Sequence, residues 1–233
     1  MKIYYRISDT GYAKIKPIYI NNENCLSNFV KIFDKYINDI HIIADNISDN
    51  THNMITKYID SKNIQQVTVG HGAGTFNIAL DQAILLDDQE IVYFVENDYI
   101  HKLSSDQILL EGFDIGFPYV TLYDHPDKYM DPVVGGNPLC SGRAENTRVY
   151  LSKSCHWKIT NSTTMTFAAK ASTLKKDVSI FKKWTSGTHP NDYQIFLELM
   201  SKNQFLISSI PGYSTHGETQ WLSPLTQWND YVY

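Results

Sequence analysis

Residues 87–101 read DDQEIVYFVENDYIH, and the core of that stretch, VYFVENDY, decides the fold. Ile91, Val92, Tyr93, Phe94 and Val95 form an apolar run suited to a strand buried on both faces, as in the interior of a parallel sheet. The run breaks abruptly into Glu96, Asn97 and Asp98. Carboxylates at the mouth of such a strand act as a helix cap, sit in a solvated turn, or ligate a divalent cation. For the triplet alone the turn reading stands first, because Asn and Asp form turns readily. The surrounding pattern favours the cation. Mg2+ and Mn2+ take oxygen ligands, commonly one or two carboxylates together with substrate phosphates.

Working outward, KIYYRIS reads as a strand and NENCLSNFVKIFDKYI as a helix, with Cys25, Leu26, Phe29, Val30 and Phe33 at helical spacing. DIHIIADN gives a second strand, NTHNMITKYIDS a short helix, IQQVTVGHG a third strand and GTFNIALDQAILL a helix leading into EIVYFVEND. Strands alternating with helices predict right-handed crossovers and a largely parallel sheet over residues 1–100. Ligands of such sheets collect at the carboxyl ends of the strands, where Ser8, Asp9, Asp45, His71 and the 96–98 triplet fall. Residues 119–147 hold prolines, acids and a Gly-Gly pair, and read as an irregular, mobile segment that orders over a bound ligand. RVYLSKSCHWKIT and TTMTFAAKAS read as an antiparallel pair, and STLKKDVSIFKKW as a helix. SGTHPNDYQIFLELMSK is a further helix with Pro190 in its first turn and Thr188 or His189 as cap. QFLISSI is a last strand before a Trp-rich tail.

Composition bounds the function. A chain of 233 residues buries a core without disulfides. A net charge of −5 with no Lys/Arg run argues against a nucleic-acid groove, which needs clustered cations. Cys25, Cys140 and Cys155 show no C-x-x-C spacing, so neither a zinc ribbon nor a disulfide framework is indicated. With no apolar segment of transmembrane length and no export signal, the expectation is a cytoplasmic protein.

The span GHGAGTFNIALDQAILLDDQEIVYFVENDY, residues 70–99, resembles the central block of nucleotide-sugar-dependent glycosyltransferases of the GT-A fold. In that family a helix carrying an Asn precedes a hydrophobic strand ending in Asp-x-Asp. Here Asn77 holds the helix position, and Glu96-Asn97-Asp98 replaces Asp-x-Asp with Glu in its first place. The resemblance implies an α/β, GT-A-like fold: a mostly parallel Rossmann-type sheet flanked by helices, with a smaller antiparallel second half. It also implies one domain over residues 1–233, with a donor half at 1–100 and an acceptor half with its tail at 101–233. Mn2+ or Mg2+ would be held by Asp98, Glu96 and His216. The donor, a UDP- or GDP-sugar, would meet Arg6, Ser8, Asp45, Asn77, Glu96, Asn97 and Asp98. Asp192 would be the general base of an inverting reaction. Trp221 would line the pocket of a glycan or glycoconjugate acceptor.

Each residue also has a plainer reading. Asp45 serves as a helix cap, Asp192 as an acid favoured by the helix dipole, and His216 as a surface histidine. Arg6 is a buried partner for an acid, and His71 a loop residue between glycines. Two other classes remain open. A sugar-phosphate nucleotidyltransferase needs a Gly-rich, basic loop after the first strand, of which SDTGYAKIKP is a poor version. A non-catalytic carbohydrate-binding protein would bind no nucleoside diphosphate.

Overall fold

The computed structural model describes residues 1–11 and 14–232; Tyr12, Ala13 and Tyr233 lie outside the described residues. β1 (Lys2–Ser8) opens the chain. Asn21 caps α1 (Asn22–Ile32) by accepting from the Asn24 N–H, and β2 (Ile40–Asp45) follows. Ser48 caps α2 (Asp49–Ile55) through the Thr51 N–H. β3 (Ile64–Val67), α3 (Gly72–Ala83) and β4 (Ile91–Glu96) complete the alternating series. β1 lies between β2 and β4, β3 flanks β2, and all of these pairs are parallel, as the sequence pattern predicts.

The two-residue side-chain period of a strand explains the composition of these segments. Ile3, Tyr5 and Ile7 of β1 and Tyr93 and Val95 of β4 face a core closed by Leu26 and Phe29 of α1. Tyr4, Val92 and Phe94 face the opposite core with Phe76 and Leu80 of α3. Both sides are covered by helices, so the strands read as continuous apolar runs rather than alternating ones.

The second half contains β5 (Tyr99–His101), α4 (Ser105–Asp114), β6 (Tyr119–Thr121), β7 (Val149–Leu151) and β8 (His156–Thr160). β9 (Phe167–Lys170), α5 (Ala171–Trp184), α6 (Asp192–Ser201), β10 (Leu206–Ile210) and β11 (Ser214–His216) follow. One nine-stranded sheet crosses both halves in the order β3-β2-β1-β4-β9-β6-β10-β8-β7, and β5 pairs separately with β11. β9 runs antiparallel between β4 and β6. β6 and β10 are parallel, and β8 and β7 finish the sheet antiparallel. No helix among the described residues is long and apolar enough to cross a membrane.

Three expectations are corrected. RVYLSKSCHWKIT folds on itself as the β7–β8 hairpin, closed where the Ser152 N–H donates to the Cys155 carbonyl, and β9 pairs elsewhere. Residues 119–147 begin with a central strand, β6, whose three residues are all buried. α6 is capped by Asn191, whose side chain accepts from the Gln194 N–H, so Pro190 precedes the cap instead of entering the first turn. Asn is among the best N-cap residues and sets the start here. α4 was not singled out in the sequence.

The rest of the 119–147 segment is anchored by buried charge. Lys158, 2% exposed, sets its ammonium 3.0 Å from Asp124 Oδ1, 3.3 Å from Glu145 Oε2 and 3.1 Å from the Tyr129 hydroxyl. Burial works against that ammonium, yet Asp124 and Glu145 hold its pKa above the usual lysine value. Lys128 is fully buried against Asn161 and Glu145. Removing one partner of a buried ion pair leaves an uncompensated charge, which costs about 3–5 kcal/mol. Lys158→Met is therefore expected to lower unfolding free energy by about that amount in urea denaturation. A loss under about 1 kcal/mol would show that this network does not hold the segment.

Candidate active site

Parallel pairing places Arg6 of β1 directly beside Glu96 of β4. The Arg6 guanidinium donates to Glu96 Oε1 at 2.9 Å and to the Gly72 carbonyl at 3.1 Å, and lies over the Phe76 ring. Arg6 is 5% exposed, so it is the buried partner of an acid, and it also lines the pocket. Asp45 does not cap the following helix. Its carboxylate accepts from the Val69 N–H at 2.7 Å and the Gly70 N–H at 2.8 Å, fixing the turn into α3. His71 caps that helix through the Gly74 N–H. Arg6, Asp45, Gly70, His71, Gly72 and Glu96 line a pocket of about 600 Å3 at the carboxyl ends of β1, β2 and β4.

Asp98 follows β4 in the turn to β5 and is 5% exposed. The β5–β11 pair sets His216 opposite Tyr99 and brings its Nε2 within 3.4 Å of Asp98 Oδ2. Gly217 permits this approach, since a Cβ there would lie 2.6 Å from the Asp98 carbonyl oxygen. Lys14 Nζ stands 3.3 Å and Lys16 Nζ 3.0 Å from the same Asp98 oxygen, and Lys14 Nζ is 2.9 Å from His216 Nε2. Burial alone would raise the Asp98 pKa, but His216, Lys14 and Lys16 hold the carboxyl well below its usual range.

Glu96, Asp98 and His216 each offer a ligand atom within 4.8 Å of the others. Asp98 Oδ1 and His216 Nδ1 are buried and without a hydrogen-bond partner among the described residues. Buried polar atoms in that condition call for a ligand, and two carboxylates with an imidazole suit a divalent cation. The donor set fits, with two ammonium groups contesting the same Asp98 oxygen.

The other predicted residues divide. Ser8 lines the pocket, its hydroxyl donating to the Thr10 carbonyl at 2.6 Å. Asn97 also lines it, while its amide donates to Asn22 Oδ1 at 2.6 Å and braces the start of α1. Asn77 is a correction. It lies outside the pocket, with its amide donating to the Thr185 carbonyl and accepting from the Thr185 hydroxyl, so it ties α3 to the end of α5. Asp192 is not a pocket residue either. Its Oδ2 accepts from the Thr164 N–H at 2.9 Å and holds the turn before β9. That turn reaches the cluster: the Thr166 hydroxyl accepts from the Glu96 N–H, Met165 gives its carbonyl to Arg6, and Tyr99 donates to the Thr163 carbonyl.

Trp221 packs its ring 5.2 Å from His125, and its carbonyl accepts from the Tyr123 hydroxyl. The Tyr123 ring lies tilted against the rings of His125 and His216, with centroids 4.9 and 6.3 Å away. Burial and the charges of Asp127, Asp124, Asp98 and Asp192 raise its pKa, so one ring lies in the field of acids from both halves. The sequence reading missed Lys14, Lys16, Tyr99, Tyr123 and the 163–166 turn. The lysine pair in the loop after β1 was the available signal, discounted there as a poor phosphate loop. No described residue of 119–147 lines the pocket.

No family model matches the chain, and no curated protein is matched by it. Solved structures are similar in fold. S. aureus TarS 1-349 superimposes with a TM-score of 0.53 at 15% identity over 92% of this chain. This chain spans 60% of the length of that fragment. A longer S. aureus TarS gives 0.50 at 15% identity, with 92% of this chain and 36% of that one covered. CMP:2-keto-3-deoxy-manno-octonic acid synthetase complexed with CTP gives 0.49 at 14% identity, with 91% of both chains covered. The chain has an α/β fold with a mixed, mostly parallel central sheet flanked by helices, and that fold is GT-A-like.

Proposed function

We propose that the chain is a divalent-metal-dependent glycosyltransferase, moving a sugar from a nucleoside-diphosphate sugar to a hydroxyl of a glycan or glycoconjugate. The observation that carries this reading is the cluster of half-buried Glu96 with buried Asp98 and His216 at the mouth of the parallel strands. It opens into a pocket of about 600 Å3, within the range of small-molecule sites. The GT-A-like fold supports it.

Asp98, Glu96 and His216 would hold Mn2+ or Mg2+, which when bound supplies Lewis-acid neutralisation of the diphosphate and of the departing nucleotide. Arg6 keeps Glu96 oriented through their 2.9 Å bond. Asp45 shapes the floor by fixing the Val69–Gly70 turn. On the acceptor side, the Trp221 ring beside His125 offers a face against which a sugar stacks. The acceptor oxygen bonds to the anomeric carbon, the bond from that carbon to the diphosphate breaks, and the acceptor proton passes to Asp192. One Asp192 oxygen is occupied by the Thr164 N–H, and the other carries no hydrogen bond among the described residues. Asp192 lies in the first turn of α6, where the helix start fixes the direction of its side chain.

A thermal-shift screen of UDP, GDP, TDP and CMP with and without Mn2+ tests the donor class, because a ligand that binds only the native state raises apparent stability. A Mn2+-dependent shift with a nucleoside diphosphate is expected, and no shift with any nucleotide removes the reading. Asp98→Asn should abolish that shift while the far-ultraviolet spectrum is retained. A variant that binds as the parent does would exclude Asp98 as a metal ligand.

Asp192→Asn keeps an oxygen for the Thr164 N–H and removes the proton acceptor. Transfer should fall by about a hundredfold or more with donor affinity within a fewfold of the parent, since base catalysis acts on the transition state. Near-normal turnover would reduce Asp192 to the holder of the turn.

A further inference from the structure

The two lysines on Asp98 crowd the cluster that would hold a metal. Resting on the glycosyltransferase reading, we propose that Lys14 and Lys16 are resident counter-ions of Asp98 that a divalent cation must displace, and that the displaced ammonium groups become contacts for the donor's diphosphate.

Both ammonium groups converge on one oxygen, Asp98 Oδ2, at 3.3 and 3.0 Å, and Lys14 also faces His216 Nε2 at 2.9 Å. Lys14 thus touches two of the three ligands that define the metal cluster. The remaining Asp98 oxygen is buried without a hydrogen-bond partner among the described residues, so the lysines satisfy the carboxylate only in part. A carboxylate this buried is not left without counter-charge, and the lysines provide it.

Charge then forces a choice. Arg6, Lys14 and Lys16 already oppose Glu96 and Asp98 within the cluster. A divalent cation added to that arrangement meets ammonium groups at contact distance, a repulsion that the partly dry site screens poorly. Binding of the metal therefore requires the lysines to leave Asp98 Oδ2.

They have somewhere to go. Both residues line the pocket, and their side chains are 22% and 32% exposed, so the long stems swing without breaking a core. The backbone between them stays put, because the Ile15 carbonyl accepts from the Thr219 N–H at 2.8 Å. Among the other acids of the pocket, Glu96 is held by Arg6 and counts among the metal's own ligands. Asp9 is taken up by the Ser48 N–H and the Thr51 hydroxyl, and Asp45 by the Val69 and Gly70 N–H groups. The anion that enters together with the metal is the remaining partner, and an ammonium is a compact point charge suited to phosphate oxygens.

The test measures binding of Mn2+ by the electron paramagnetic resonance signal of the free ion. The double variant Lys14→Gln/Lys16→Gln should bind Mn2+ alone at least about tenfold more tightly than the parent, a difference of about 1.4 kcal/mol. Lys14→Arg/Lys16→Arg keeps the charge and should retain the parent's weak affinity. Coupling between ligands is reciprocal, so UDP should tighten Mn2+ binding by a larger factor in the parent than in the Gln variant. A Gln variant that binds Mn2+ no tighter than the parent, or not at all, overturns the displacement. An equal effect of UDP on both proteins overturns the diphosphate contact. UDP that binds neither protein removes the glycosyltransferase reading and the diphosphate contact together, while the comparison with Mn2+ alone still decides the displacement.

Discussion

Asp98 sets the terms for the rest of the molecule. A carboxylate at 5% exposure is tolerable only with polar partners close by, and two distant segments converge on it. The loop after β1 contributes Lys14 and Lys16, and β11 contributes His216. Glu96 alongside carries its own counter-ion, Arg6, in the neighbouring strand. The pocket takes part of its shape from the same requirement, since Lys14 and Lys16 are also among its walls.

The second organising feature is the antiparallel strand β9, inserted between the parallel strands β4 and β6. An antiparallel neighbour begins where β4 ends, so the turn leading into β9 arrives beside Glu96. Thr163, Met165 and Thr166 therefore contact Tyr99, Arg6 and Glu96, and Asp192 grips the turn from the start of α6. Reversal of one strand carries a second-half acid toward a first-half cluster. Tyr119, Phe167, Phe181 and Phe196 pack together in the core behind that arrangement.

The first half was legible because each strand there is covered on both faces and reads as a short apolar run, while each helix buries one face and shows the 3.6-residue period. Placing Glu96, Asp98, Asp45 and Ser8 at one sheet edge followed from that alone. The second half obscured its own pairing. β6, β7 and β11 are three residues long, too short to show a period, and a Ser-Lys-Ser turn inside RVYLSKSCHWKIT was read through as one strand. Asn77 was misplaced because its amide bonds to Thr185, far along the chain. The lysines of the cluster stand in a loop that the sequence shows to be basic, but their carboxylate lies 84 residues away from Lys14, so the pairing itself is not local.

The short pairing of β11 with β5 has a consequence for how the chain tolerates change in length. Three residues, Ser214 to His216, are the ruler that measures His216 against Asp98, with Gly217 allowing the close fit behind it. Successive side chains of a strand point to opposite faces, so sliding this one by a single residue would turn the imidazole away and present Thr215 in its place. The connection at 211–213 is held at both ends, by β10 in the main sheet and by β11 in the small one. An insertion or deletion there changes the chemistry of the cluster even though the pocket lies elsewhere in the sequence.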